Sequence, residues 1–311
     1  MGRVHRASAL PGVVRHRALM FASAVSFGLA ALLVRVAAGR GMSGAQVATV
    51  RFGVGLVAVV ALFAMRPGTF RPARHGLLAV RGLVGGLAAL LYFLALARIS
   101  AGEATLLNNL YPIFAVGISI VALGERPTVH LALALLVASA GVFLVLGGGG
   151  VRLALGWGEA FGILSGLAGG VAVTSIRALR SSVVPVNAPT IFFAFSLGGV
   201  LVAAPVAWSA WTADPWAWAA ALATGLAAAL AQLAMTEAYG GLSVPEAAVW
   251  QQLTPIAAYL WALLAGEPFG GATALGVLLG ITGVVYGSLF GHRPGARASA
   301  AAKVPVLPTE E

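Results

Sequence analysis

The sequence predicts an all-α integral membrane protein: ten transmembrane helices arranged as two inverted five-helix repeats. Three observations predict this. First, 60% of the 311 residues are hydrophobic and only 9% are charged, a balance foreign to soluble globular chains. Second, apolar runs of about 20 residues follow one another, each long enough at ~1.5 Å per residue to cross a hydrocarbon core of ~30 Å. Third, one stretch occurs twice. Ser100, Glu103, Asn108-Asn109 and Pro112 recur as Ser243, Glu246, Gln251-Gln252 and Pro255, all at a spacing of 143 residues, and Gly124-Glu125 recurs as Gly266-Glu267 at 142.

The elements follow in chain order. Residues 1–17 are basic and precede an apolar run too long for a signal-peptide core, so the first helix is expected to be retained. The runs are 18–38, 46–65, 76–97, 101–123 and 128–147 in the first repeat, and 157–178, 189–209, 216–239, 244–265 and 269–290 in the second. Residues 148–156 form a glycine-rich linker, flexible by composition and without the Lys-Ser/Thr of a phosphate loop. Residues 291–311 are polar and read as a disordered tail. With the N-terminus placed in the cytoplasm, thirteen Arg and Lys fall inside and three (Arg40, Arg98, Arg152) outside, the orientation bias of membrane proteins. Trp208, Trp211, Trp216 and Trp218 flank one outer connection, as in an interfacial aromatic belt. Five spans per half turn the second half over in the membrane. Inverted repeats typify secondary transporters, with the site near the midplane between them. Arg35/Arg177, Phe52/Phe195 and Gly141/Gly283 extend the match between halves.

Several function classes drop out. There are no cysteines, hence no thiol chemistry or Cys-based metal site. The net charge of +10 is spread over short loops, without the aromatic-interleaved basic patch of a nucleic-acid binder. The five histidines show no metal-ligand spacing, and no nucleophile elbow or catalytic carboxylate pair appears. The expectation is a non-enzyme with no cofactor and no metal, whose partners are a small-molecule substrate and the lipid bilayer.

The candidate site centres on the duplicated stretch. Pro112 and Pro255 each stand near the middle of a span, where proline strips a hydrogen bond from the carbonyl four residues back, that of Asn108 or Gln251. Irregular backbone at mid-membrane depth is tolerated only inside protein or along a cavity. Asn108, Asn109, Gln251 and Gln252 are therefore candidates for substrate contact, with interhelical hydrogen bonding as the plainer alternative. Tyr111 and Trp250 adjoin them and suit stacking on a solute. Arg81 and Tyr92 share a face of the third span, and Gln232, Thr236 and Tyr239 a side of the eighth. Glu237 is the one acid well inside an apolar run. Such carboxylates are costly and often functional; it is read either as an ion pair with Arg81 or as a carrier of protons. Glu103 and Glu246 carry the Ser-x-x-Glu spacing of a helix capping box and are also candidate gate charges. Gly124-Glu125 and Gly266-Glu267 read as helix-ending turns.

In Arg51-Phe52, the stretch from Ala104 through Pro112 to Gly124-Glu125, its copy from Ala247 through Pro255 to Gly266-Glu267, and the closing Gly141-Val142 and Gly283-Val284, the chain resembles the EamA-type family of the drug/metabolite transporter superfamily. The resemblance covers roughly residues 20–290. It implies ten helices in two inverted repeats, both termini in the cytoplasm of a bacterial inner-membrane protein, and a cavity lined by spans one, three, four, six, eight and nine. It also implies solute transport, often export of amino acids or other small metabolites. Many members carry Trp-Gly where this chain has Phe27-Gly28. The leading expectation is a secondary transporter working by alternating access, as a monomer or a dimer. The alternative is an uncoupled, channel-like uniporter for small polar solutes.

Overall fold

The computed structural model describes residues 10–96, 98–99, 101–147, 156–264, 266 and 270–291. Ser100, Glu267, most of the linker, residues 1–9 of the N-terminal segment and residues 292–311 lie outside this set. Apolar sequence supplies twelve α-helices: α1 Leu10–Gly39, α2 Gly44–Met65, α3 His75–Leu96, α4 Ala101–Asn108, α5 Tyr111–Leu123, α6 Val129–Gly147, α7 Trp157–Arg180, α8 Ala188–Ala203, α9 Pro215–Ala238, α10 Val244–Gln251, α11 Leu253–Leu264 and α12 Gly271–Phe290. Among the described residues, nine helical segments are long and apolar enough to cross a membrane, α4–α5 counting as one; α10–α11 adds a tenth, broken run.

Several helices start on a side chain that accepts an otherwise orphaned backbone N–H. Ser43 and Gln46 cap α2 reciprocally, Asn187 caps α8, Asp214 caps α9 and Ser243 caps α10. α1 begins eight residues before the expected run, because the basic segment carrying Arg15 and Arg17 continues its helix.

The two proline-bearing spans are each split. α4 stops at Asn108 and α5 begins at Tyr111, with Pro112 in its first turn. α10 stops at Gln251 and α11 begins at Leu253, two residues before Pro255. The bridging residues stay near helical backbone, Leu110 at φ −72° and Gln252 at φ −63°. The breaks are thus tight offsets rather than loops, as expected where proline removes one donor.

Packing repeats between the halves. α1 packs against α9 and α11, and α7 against α3 and α5; α2 meets α8, and α6 meets α12. Replacing each first-half helix by its second-half counterpart, and the reverse, exchanges the first two sets of contacts and keeps the last two. Two glycines carry close backbone approaches in the exchanged sets. A Cβ on Gly28 would sit 2.6 Å from the Ala258 nitrogen, and one on Gly170 would sit 2.9 Å from the Ala115 nitrogen. Gly28 and Gly170 are 142 residues apart, Ala115 and Ala258 143.

Contacts define two ends. At one lie the start of α1, the ends of α5, α7 and α9 and the start of α10. At the other, Arg40 after α1 meets Asp214 before α9, and Gly44 of α2 abuts Phe93 of α3. The main buried cluster lies toward the first end, around Met20, Ile176, Leu179, Met235, Tyr239 and Ala247.

Candidate functional site

The breaks sit against small-residue faces of α7 and α1. A Cβ on Gly166 would lie 2.9 Å from the Leu107 carbonyl oxygen and 3.3 Å from that of Asn108, so only glycine lets α7 approach the frayed end of α4. Next to it, at Ser165, the Asn108 amide donates to the Oγ at 2.6 Å, and that hydroxyl donates to the Ala88 carbonyl of α3 at 2.8 Å. Asn108 therefore knits α4, α7 and α3 together. Asn109 turns back on its own helix, donating to the Thr105 carbonyl at 2.9 Å, and Tyr92 hydrogen-bonds Thr105 Oγ1 at 2.7 Å.

In the second break the Gln251 amide donates to the Tyr239 hydroxyl, and Gln252 donates to Ser139 Oγ of α6 at 3.0 Å. Both glutamines are buried, and among the described residues the side-chain carbonyl oxygens of both have no partner; nor has Trp250 Nε1. A buried acceptor or donor left unpaired costs roughly 1–3 kcal/mol. Thr236 donates to the Gln232 carbonyl at 2.7 Å within α9. Tyr111 and Trp250 both pack against the main cluster.

The expected Arg81–Glu237 ion pair does not form. Glu237 is the penultimate residue of α9, and its carboxylate binds Arg180 at 2.8 Å and Arg15 at 3.8 Å. Arg81 lies six residues into α3, turned inward and 3% exposed, with its guanidinium 3.8 Å above the Phe195 ring. Among the described residues it has no carboxylate partner, and its Nε is buried without a hydrogen bond. A desolvated cation–π contact is worth about 2 kcal/mol. That is less than the several kcal/mol of taking an ion out of water, so Arg81 is under-compensated. Phe195 stands edge-on to Phe52 at 5.2 Å, and Arg51 lies 5.4 Å from the far side of that pair, on Phe52. The space beside Arg51, Ser196 and Gln232 is only about 10 Å³, room for at most one water. A larger cavity of about 260 Å³ lies between α3 and α8, lined by apolar residues such as Leu83, Leu197 and Leu201. It holds none of the expected site residues.

Charged side chains close the end that carries Arg15 and Arg17. Glu125, expected only to end a helix, accepts from Arg177 Nε at 2.8 Å and from the Val244 backbone N–H at 2.7 Å, at the positive N-terminal end of α10. Gly124 before it, at φ +65°, makes the turn that aims it there. Arg177 also donates to the Tyr239 carbonyl at 3.0 Å. Glu246 does not complete its capping box. Ser243 caps the helix, while the Glu246 carboxylate pairs with Arg17 at 2.7 Å. At the opposite end Asp214 is held below the usual carboxylate pKa, chiefly by the Trp216 N–H it caps, with Arg40 adding to it.

Ser165, Ser139, Glu125 and Arg177 were not among the expected site residues. A signal for three of them was present: Arg177 and Glu125 are duplicated positions, and Ser165 shares the glycine face of α7 with Gly158, Gly162 and Gly166.

Comparison with known proteins agrees with this architecture. Residues 17–147 match the model of the EamA-like transporter family. A solved crystal structure aligns over 89% of this chain and 97% of its own, with a TM-score of 0.77 at 20% identity, a likeness of fold. No curated protein matches. The apolar helices and the family match together make this a multi-pass membrane protein.

Proposed function

We propose, from the match of residues 17–147 to the EamA-like transporter family, that the chain is a secondary transporter of the bacterial inner membrane, exporting a small metabolite by alternating access between two inverted repeats. The observation that carries this is the exchanged packing around the two breaks: α1 on α11 through Gly28, α7 on α5 through Gly170. Two halves that interchange their contacts can rock about a common site without rebuilding either half. The solute would lie between the breaks, within reach of Asn108, Gln251 and the unpaired oxygens of Gln251 and Gln252.

The ion-paired end is the inner one on the count of basic residues. Four of its contacts cross from the first half to the second: Arg17–Glu246, Arg15–Glu237, Glu125–Arg177 and Glu125 to the Val244 N–H. They form a lock that holds the cytoplasmic mouth shut. Glu237 belongs to this lock.

Purified protein in liposomes tests the reading. Uptake of some member of a panel of amino acids, nucleosides and organic acids is expected to saturate and to fall on Gln251→Leu while the protein remains folded. Non-saturable uptake that is unaffected by this change rejects a carrier with its site between the breaks.

A further inference from the structure

The interior of the bundle carries an uncompensated positive charge, and the charge assigns the solute. Among the described residues, Glu103, Glu159 and Glu246 lie in the first turn of their helices and Glu237 in the last turn of α9. Glu125 and Asp214 lie just beyond helix ends. Arg51 and Arg81 lie deeper. Arg51 is about 10 Å along α2 from one end, and Arg81 about 9 Å along α3 from the other. No described carboxylate pairs with either. Each guanidinium rests on a phenyl ring instead, and the two rings touch edge to face. The contacts thus run from Arg51, which also lies 5.8 Å from the Phe27 ring, through Phe52 and Phe195 to Arg81, with Phe52 and Phe195 in equivalent positions of the two halves.

A buried arginine without a carboxylate is expensive to keep, and its planar fork matches the geometry of a carboxylate or phosphate. Neutral donors and acceptors surround this one. Tyr239 lies within electrostatic range of Arg81, and the unpaired Ser196 hydroxyl shares the small space beside Gln232. A solute ammonium group would find two cations there and no anion at that depth. We propose that the transported solute is a small organic anion, an apolar body bearing a carboxylate, whose charge is received by Arg81 on the cytoplasmic side of the Phe52–Phe195 pair and by Arg51 on the outer side. The rings would keep the two anion positions apart until the halves rock. This rests on the transporter reading above and narrows it.

The test uses the full chain in detergent and three solutes of one shape: benzoate, benzamide and benzylamine. Benzoate is expected to bind saturably and raise the thermal midpoint, benzamide to bind on the order of tenfold to a hundredfold more weakly, and benzylamine not at all. Arg81→Met is expected to abolish the preference for benzoate without lowering the midpoint of the unliganded protein, since the change removes an unpaired buried charge. A structural arginine would behave oppositely, with a lower midpoint and an unaltered preference. Arg51→Met, read in the same way, guards against failure of the first variant to fold. Equal binding of benzoate and benzamide, or no binding of benzoate, overturns the proposal. If saturable uptake of a neutral or zwitterionic solute is then found in liposomes, the anion assignment falls while the transporter reading stands.

Discussion

Replacing Glu125 with glutamine should open the cytoplasmic mouth. The Glu125 carboxylate takes the Arg177 guanidinium on one oxygen at 2.8 Å and the first backbone N–H of α10 on the other at 2.7 Å. Glutamine keeps one acceptor and places an NH₂ against a donor. A hydrogen bond to a charged group contributes about 1.5–3 kcal/mol. The pair is 15–21% exposed, and solvent screening brings the expected loss to about 1–2 kcal/mol. Both partners lie in the second half of the chain, so under the proposed rocking of the halves the bonds exist only while that mouth is shut. The loss then appears in the open–closed equilibrium as a factor of about 5–30. The chain has no cysteine, so Ala247→Cys, fully buried beside Glu246, supplies a single thiol beneath the lock. In inside-out vesicles an impermeant maleimide should label this thiol about 5–30 times faster when Glu125→Gln is added. Equal labelling rates, with both proteins folded, would refute the lock.

Three further outcomes are expected. Gln251→Leu strands the buried Tyr239 hydroxyl and should cost about 1–3 kcal/mol of stability; adding Tyr239→Phe should return part of that loss in thermal melts, and strictly additive losses would deny the bond. Gly28→Leu and Gly170→Leu should destabilise to a similar degree, by at least the 1–3 kcal/mol of ordinary overpacking, because each side chain must enter the backbone of an equivalent helix; a large effect at only one site would contradict the equivalence. Asp214, with its folded pKa depressed, contributes stability that is present above the unfolded value of about 4 and lost as pH falls through the lower folded value. The difference between the melting points of the wild type and Asp214→Asn should therefore be full at pH 7 and shrink as pH falls below about 4; a constant difference would remove the charge from the explanation.

Much of this architecture is legible in one sequence because lipid imposes simple rules. Apolar length marks the spans, and a mid-span proline marks a break, so α4–α5 and α10–α11 could be anticipated to within two residues. Lateral pairing could not. Asn108 and Gln252 end on Ser165 and Ser139, hydroxyls of other helices that spacing along the chain does not bring together. The Arg81–Glu237 pairing failed for a related reason. α9 is buried on several sides and alanine-rich, so its sequence names no single inward face, and Glu237 at its rim finds Arg180 and Arg15 instead. Glu246 shows local and long-range chemistry competing for one carboxylate. The capping-box spacing is present, but a cation on α1 takes the side chain.

The most direct test of the account is counterflow in liposomes reconstituted with the purified protein. With benzoate loaded inside at high concentration and a trace of labelled benzoate outside, an alternating-access carrier predicts a transient overshoot of label above its equilibrium level, saturable and lost in Gln251→Leu. The same trials with alanine and uridine cover solutes of other charge. Uptake that is linear in concentration and unchanged by loading the interior, for whichever solute crosses, would contradict a carrier and leave a pore.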